Sequence, residues 1–269
     1  MLQYSASGDR RRSFQLLKKF SHIALIGLLT VHMARPAGSG EMVPQSDSQR
    51  PVKAVLELFT SQGCLSCPPA DALMRTYADA RDVMVLSLPV DYWDYLGWKD
   101  TLANPKNSER QRAYSRTLGF GSVYTPQVVV NGTTQAVGSN RVEIDSAIEQ
   151  SKTKFAKDRI PVRLWRHEGI YNIDLGSHTE GGTEKQATVW FVVVQKTAEV
   201  PVKGGENGGK TLVYTNVVRE LVPVGVWEGH AKNLQVASGS VMRPEGEDKA
   251  VIVQDAMSGE IIGAAYISN

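Results

Sequence analysis

The sequence predicts an α/β unit of roughly 100 residues followed by an antiparallel β-sandwich. Three observations carry that expectation. Between Val52 and Lys157, apolar strand-like runs alternate with segments of helical period. After Lys157 the helical period disappears, and short runs alternating apolar and polar residues are separated by Gly-rich turns. Both cysteines sit at one strand-to-helix junction.

The first unit reads element by element. Residues 52–60 (VKAVLELFT) form a strand apolar on both faces, which suits a sheet covered on both sides. Gly63 and a pair of prolines punctuate the next turn, and 69–79 follows as a helix with Ala70, Leu73, Met74 and Tyr77 at helical spacing. Residues 83–90 (VMVLSLPV) form a second strand, and an aromatic-acidic loop fills 91–100. Residues 104–118 are polar and helix-prone, with Pro105 at the first helical position. A short β-branched strand, 127–130, ends at Asn131-Gly132, a hairpin-type turn that leads into another strand. Residues 141–157 close the unit as a helix. In the second half, strands are expected at 162–165, 170–175, 188–194, 212–222, 250–255 and 261–267.

Composition narrows the function classes. Of 269 residues, 42% are apolar and 22% charged, a globular balance. No apolar run reaches the roughly 18 residues that span a bilayer comfortably. The net charge of +2 is unevenly placed: residues 1–40 hold six basic residues against Asp9 alone, which leaves the remainder at −3. A mildly acidic body gives no electrostatic case for nucleic-acid binding.

Residues 10–33 place a basic stretch before a short apolar run, the layout of an export signal. Arg11-Arg12-Ser13-Phe14 resembles a twin-arginine signal, although Gln15 stands where a second apolar residue is usual. An uncleaved N-terminal anchor is the alternative, and it would be the chain's only membrane attachment. Either way the body is expected in the periplasm or secreted, where disulfides persist. Residues 36–51 are rich in Pro, Gly and Ser and read as a linker.

The motif Cys64-Leu65-Ser66-Cys67 carries the chemistry. Only a thiolate attacks a disulfide, and a helix N-terminus stabilises that anion through free backbone N–H groups and the helix dipole. Cys64 is expected to be the exposed nucleophile and Cys67, one turn into the helix, the resolving thiol. Redox-active thiols compete with a static disulfide, a metal half-site and two buried thiols. A zinc or copper site needs further Cys or His ligands. The five histidines, His22, His32, His167, His178 and His230, all lie outside the α/β unit.

The second signal is Thr125-Pro126 ahead of the 127–130 strand. A proline there occupies a first strand position or a bulge. In the thioredoxin fold a cis-proline at this place faces the CxxC sulfurs, and its backbone pairs with an extended substrate. With CxxC upstream and Asn-Gly downstream, Thr125-Pro126 is expected to be cis.

Taken together, LELFTSQGCLSCPPAD, VDYWDYLGWKD and VYTPQVVVNG resemble the secreted bacterial thioredoxin-like proteins grouped as domain of unknown function 1223. GGENGGKTLVYTNVVREL and VIVQDAMSGEIIGAA in the second half resemble the same family. The resemblance implies a thioredoxin-like domain and a domain plan, and no known reaction. That plan is 1–51 as export signal and linker, 52–158 as the thioredoxin-like domain with an insertion at about 91–118, and 159–269 as the sandwich. Pro68 directly after the second cysteine is shared with copper chaperones of the thioredoxin fold. Their three-residue spacer and same-domain histidine ligand are missing here.

Glu57 is an acid inside the first strand, seven residues before Cys64. Thioredoxins keep a buried acid beneath the CxxC as a general base for the resolving thiol. Glu57 is one position off the usual offset, and a salt-bridged strand glutamate is the alternative. The 91–98 loop either walls a substrate groove beside Cys64 or packs on itself with its aromatics as anchors. Residues 204–211 (GGENGGKT) match the spelling of a phosphate-binding loop, but a strand sequence follows where that mechanism needs a helix. The segment therefore reads as a Gly-rich hairpin loop, with no nucleotide.

The leading expectation is an exported thiol–disulfide oxidoreductase acting on protein or small-molecule thiols and disulfides, without cofactor or metal. Cys64 attacks, Cys67 resolves, Thr125 and Pro126 dock substrate backbone, and Glu57 handles the proton. The rivals are an envelope binding protein with a structural CxxC disulfide, and a copper carrier. The exchange reading requires sulfurs that solvent can reach.

Overall fold

The structure, a computed structural model, describes residues 52–80, 82–178, 186–240 and 247–268. The export segment and linker expected at 1–51 lie outside the described residues. Among those described, the chain forms a mixed α/β assembly of eleven strands and three α-helices. The strands are β1 (Ala54–Thr60), β2 (Val83–Pro89), β3 (Gln127–Val130), β4 (Thr134–Val137), β5 (Val162–His167), β6 (Ile170–Leu175), β7 (Ala187–Pro201), β8 (Thr211–Trp227), β9 (Lys232–Ala237), β10 (Asp248–Asp255) and β11 (Ile261–Ile267). The helices are α1 (Pro68–Ala78), α2 (Pro105–Leu118) and α3 (Arg141–Asp158). No helix among the described residues is long and apolar enough to cross a membrane.

Eight strands share one sheet in the order β11-β10-β7-β8-β2-β1-β3-β4, and β5-β6-β9 form a second. β1 runs parallel to β2 and antiparallel to β3, so it is hydrogen-bonded along both edges. All seven of its residues are buried. Its side chains alternate between two cores, as strand geometry requires. Leu56 and Leu58 join Ala70 and Met74 of α1 and Ile144 of α3 in one core. Val55 and Phe59 join Tyr114 of α2 in the other.

That second core does not stop at the expected boundary of 158/159. It continues through Val192, Val194, Val218, Ala250 and Ile252 of the later strands. The two halves therefore share a sheet. The junction is β2 against β8, in parallel, with Ser87 opposite Val217 and the Ser87 hydroxyl donating to the Thr215 carbonyl at 2.7 Å. The physical reason is that a buried strand such as β2 cannot leave one edge unpaired. β8 covers it. β7 and β8 run 15 and 17 residues, well beyond the 188–194 and 212–222 expected. On the far half of the large sheet, the small sheet packs through a third core that includes Leu164, Ile173, Phe191, Trp227 and Val253.

Local signals explain several element ends. Asn104 caps α2 by accepting from Lys106 N–H, with Pro105 at the first helical position. Asn140 caps α3 in the same way by accepting from Glu143 N–H. Gly132, at φ +69°, turns β3 into β4 so close to the β10–β11 hairpin that a Cβ would stand 2.1 Å from the Gly259 carbonyl. Only glycine fits there.

Candidate functional site

The CxxC loop leaves the C-terminal end of β1 and enters α1. Cys64 and Cys67 form a disulfide with Cα atoms 5.4 Å apart. Both sulfurs are covered: Cys64 is 2% exposed and Cys67 not at all. This corrects the expectation of an exposed Cys64. Loops distant in sequence press on the backbone of this turn. Trp93 packs over Gly63, where an added Cβ would meet Trp93 Cβ at 3.1 Å. The Asn207 side-chain amide donates to the carbonyls of Gln62 at 3.0 Å and Cys64 at 2.9 Å. Leu65, between the cysteines, stays 56% exposed.

The first turn of α1 also departs from expectation. Pro68 and Pro69 occupy its first two positions and bring no N–H. The next two donors, Ala70 and Asp71 N–H, both bond the Cys67 carbonyl. Cys67 N–H bonds the Cys64 carbonyl. No free backbone donor remains in that turn to hold a Cys64 thiolate, so the helix dipole acts without them. The polar neighbour of Cys64 Sγ is the Ser66 hydroxyl at 3.4 Å.

The Thr125–Pro126 bond is cis. β3 pairs antiparallel with β1 up to Gln127 opposite Phe59, which carries Pro126 alongside the end of β1 that feeds the CxxC loop. Trp93 ties the two motifs together. Its indole N–H donates to the Thr125 hydroxyl at 2.7 Å while its Cβ covers Gly63.

The rest of the 91–100 loop is an anchor. Trp98 N–H donates to the Gln62 side-chain oxygen at 2.8 Å, and Asp100 accepts from Gln62 backbone N–H at 2.7 Å. Asp94 holds Asp100 N–H, and Asp91 accepts from the Ser108 hydroxyl. Burial raises the Asp100 carboxyl, against the pull of its three backbone donors. Tyr95 is the exception: it stacks on Trp93 and stands 77% exposed.

Glu57 is not under the CxxC. It shares the Phe59 face of β1, across the sheet from α1. There Arg110 of α2 grips it bidentately, at 2.6 Å to one oxygen and 3.1 Å to the other. The Tyr114 hydroxyl donates to it as well, and Gln254 completes the network by accepting from Arg110 and donating to Tyr114. The proton-handling role expected of Glu57 is corrected by strand geometry. A one-residue change of offset turns a side chain to the opposite face.

The acid on the sulfur side is Asp71, four residues after Cys67 and on the same face of α1. It is buried, and neither carboxylate oxygen has a hydrogen-bond partner. Burial, with the Asp100 charge adding, pushes its carboxyl up to about 8. The Thr60 hydroxyl nearby works the other way without reaching bonding geometry. The Tyr214 hydroxyl of β8 is also buried without a partner, and it is held protonated by burial and by the charges of Asp71 and Asp100. Asp71 borders a cavity of about 240 Å³ between α1 and the start of β8. No sequence-based expectation gave Asp71 a role. The available clue was its spacing of one helical turn from Cys67.

A larger cavity of about 520 Å³ lies on the other face, between α2 and strands β7, β8 and β10, with Arg110, Tyr114 and Trp190 in its wall. It holds no residue of the CxxC loop. Among the described residues no group of three or more His, Cys, Asp or Glu side chains converges to hold a metal ion. The loop at 204–209 joins β7 to β8, and strand β8 follows it directly, as the hairpin reading expected.

Comparison with known proteins adds the following. Residues 55–254 match the family described as Protein of unknown function (DUF1223), and the chain belongs to that family. It is 35% identical to an Agrobacterium tumefaciens protein solved by X-ray crystallography as a structural-genomics target. That match has a TM-score of 0.71 and covers 82% of this chain and 96% of the other. HBP35 of Porphyromonas gingivalis is 15% identical, with a TM-score of 0.52 over 81% of this chain and 75% of its own, a likeness of fold alone. A search of the curated proteins found no match.

Proposed function

We propose that this DUF1223 protein is a thiol–disulfide oxidoreductase of thioredoxin-like fold that works outside the cytoplasm. The strand order β2-β1-β3-β4, with α1 crossing between parallel β1 and β2, supports the fold reading. The basic, then apolar, N-terminal sequence supports the location. One observation carries the chemistry: a Cys64–Cys67 disulfide at the head of α1, with a cis Thr125–Pro126 bond on the neighbouring strand and the unpartnered Asp71 one turn behind Cys67.

The chemistry is a two-electron exchange. An incoming thiolate attacks Cys64 Sγ and forms a mixed disulfide. The Cys64–Cys67 bond breaks, and Cys67 leaves as a thiolate. Asp71, protonated while the disulfide is closed, supplies the proton that makes Cys67 a neutral thiol. In the oxidising direction the same carboxylate takes that proton back. Thr125, ahead of the cis bond, presents its backbone to the partner's chain, since Pro126 has no N–H and its carbonyl accepts from Gly138 N–H.

Exchange by this route requires that the cover over both sulfurs open, and their burial favours a second reading, in which the disulfide is a static staple and the protein binds an envelope partner. The two readings separate on one experiment. The Cys67→Ser variant, expressed in the source organism, lacks the resolving thiol and retains any mixed disulfide formed at Cys64. Exchange chemistry is expected to give discrete covalent partners that reductant releases and that Cys64→Ser abolishes. Their absence supports the staple.

A further inference from the structure

The Gly-rich segment between β7 and β8 has no part in the exchange just described, yet it reaches the backbone of the CxxC loop. Residues 202–210 fold on themselves: Val202 N–H bonds the Lys210 carbonyl, Gly209 N–H the Val202 carbonyl and Gly208 N–H the Gly205 carbonyl. Small residues let this loop press on the 91–100 loop. A Cβ on Gly204 would stand 2.9 Å from the Gly97 carbonyl, and one on Gly205, at φ +68°, 3.2 Å from Trp98 Cβ.

At its tip Asn207 is fully buried. Its amide N–H groups go to the carbonyls of Gln62 and Cys64, and its oxygen accepts from Lys210 Nζ at 2.9 Å. A side chain 143 residues away in sequence thus fixes the backbone that carries the reactive sulfur. Exchange needs the attacking sulfur to approach in line with the S–S bond, and a sulfur covered as Cys64 is offers no such approach.

We infer that Asn207 is a specificity-determining residue of the disulfide site, holding the 202–210 loop over Cys64 so that free small thiols are excluded and exchange belongs to a partner that displaces the loop. This rests on the exchange reading above and names its substrate class: a protein thiol whose docking moves the loop, rather than a small diffusing thiol. Asn207 touches no reacting atom and acts as a positioning residue, through the two carbonyls.

The test uses the oxidised full chain and follows reduction of its own cysteines, by acid quench and mass-tag alkylation, as dithiothreitol or glutathione is raised. For the natural sequence the rate is expected to level off, because loop opening limits it. Asn207→Asp keeps the size and the Lys210 contact but removes both donors. It is expected to be reduced at least about tenfold faster, with a rate that stays proportional to reductant. Asn207→Ala is expected to behave the same way. Ile173→Ala, placed in the core under the small sheet, loses stability without touching the loop and is expected to keep the slow, levelling rate.

The inference is overturned if Asn207→Asp and the natural sequence react equally fast, if the natural sequence shows no plateau, or if Ile173→Ala accelerates as much as Asn207→Asp. Mixed-disulfide trapping with Cys67→Ser reads the exchange chemistry independently. Partners trapped alongside unchanged small-thiol rates would sink the loop's role and leave the oxidoreductase reading standing.

Discussion

Two buried acids, one on each side of the central sheet, meet opposite fates. Glu57 on the α2 side is gripped by a bidentate guanidinium and a phenol hydroxyl. Asp71 on the α1 side has no hydrogen-bond partner, and its carboxyl is driven up to about 8. A buried charge persists only when paired, and an unpaired acid holds its proton instead. Burial alone therefore does not mark the acid that can move a proton. Glu57 is committed to holding α2 on the sheet, whereas Asp71, one helical turn after Cys67, carries no such bond.

The sharpest way to break this contrast is to remove Arg110. Arg110→Ala leaves Glu57 buried without its counter-charge and is expected to cost about 3–5 kcal/mol of stability. Urea denaturation reads it. A loss under about 1 kcal/mol would mean the Glu57 side is not the structural one.

Asp71→Asn should act in the opposite sense. The native carboxyl holds its proton up to about 8 while the unfolded one releases it near 3.8. The folded state therefore binds the extra proton between those values, and stability falls as pH rises through the window. Asparagine is expected to flatten that slope and to add on the order of 2 kcal/mol at pH 8. The same variant should slow Cys67 exchange by about 100-fold, with the largest loss below pH 8 where Asp71 carries its proton. A more stable protein that exchanges at the natural rate would leave Asp71 buried but idle.

A smaller effect is expected at Trp93→Phe, which keeps the Cβ against Gly63 and deletes the bond to Thr125. It should cost about 1 kcal/mol and loosen the cis-proline loop. Faster amide exchange at Thr125 and Gln127, with protection in β7 unchanged, is the expected signature.

Much of this was legible in the sequence. β1, β2 and β3 announced themselves by apolar runs bounded by Gly, Pro and Asn-Gly. Asn104-Pro105 marked the start of α2, and β6 and β11 lie where alternation placed them. What escaped has physical causes. β9 (KNLQVA) has too few apolar residues to stand out, because half of its residues are exposed. β7 and β8 outrun their apolar stretches because edge pairing continues through polar residues such as Gln195 and Thr215. The Glu57 reading failed on strand parity, which spacing to Cys64 alone does not reveal. The hold on the CxxC-loop backbone depends on Asn207, and the sulfur-side polar cluster on Tyr214. Both reach the site only because β8 joins the sheet beside β2, a pairing no local pattern encodes.

The equilibrium reduction potential of the Cys64–Cys67 pair, measured against a glutathione buffer, tests the exchange reading most directly. A pair that works by exchange is expected within the span of known dithiol catalysts, about −120 to −270 mV. A value below about −300 mV belongs to a structural disulfide and would contradict it.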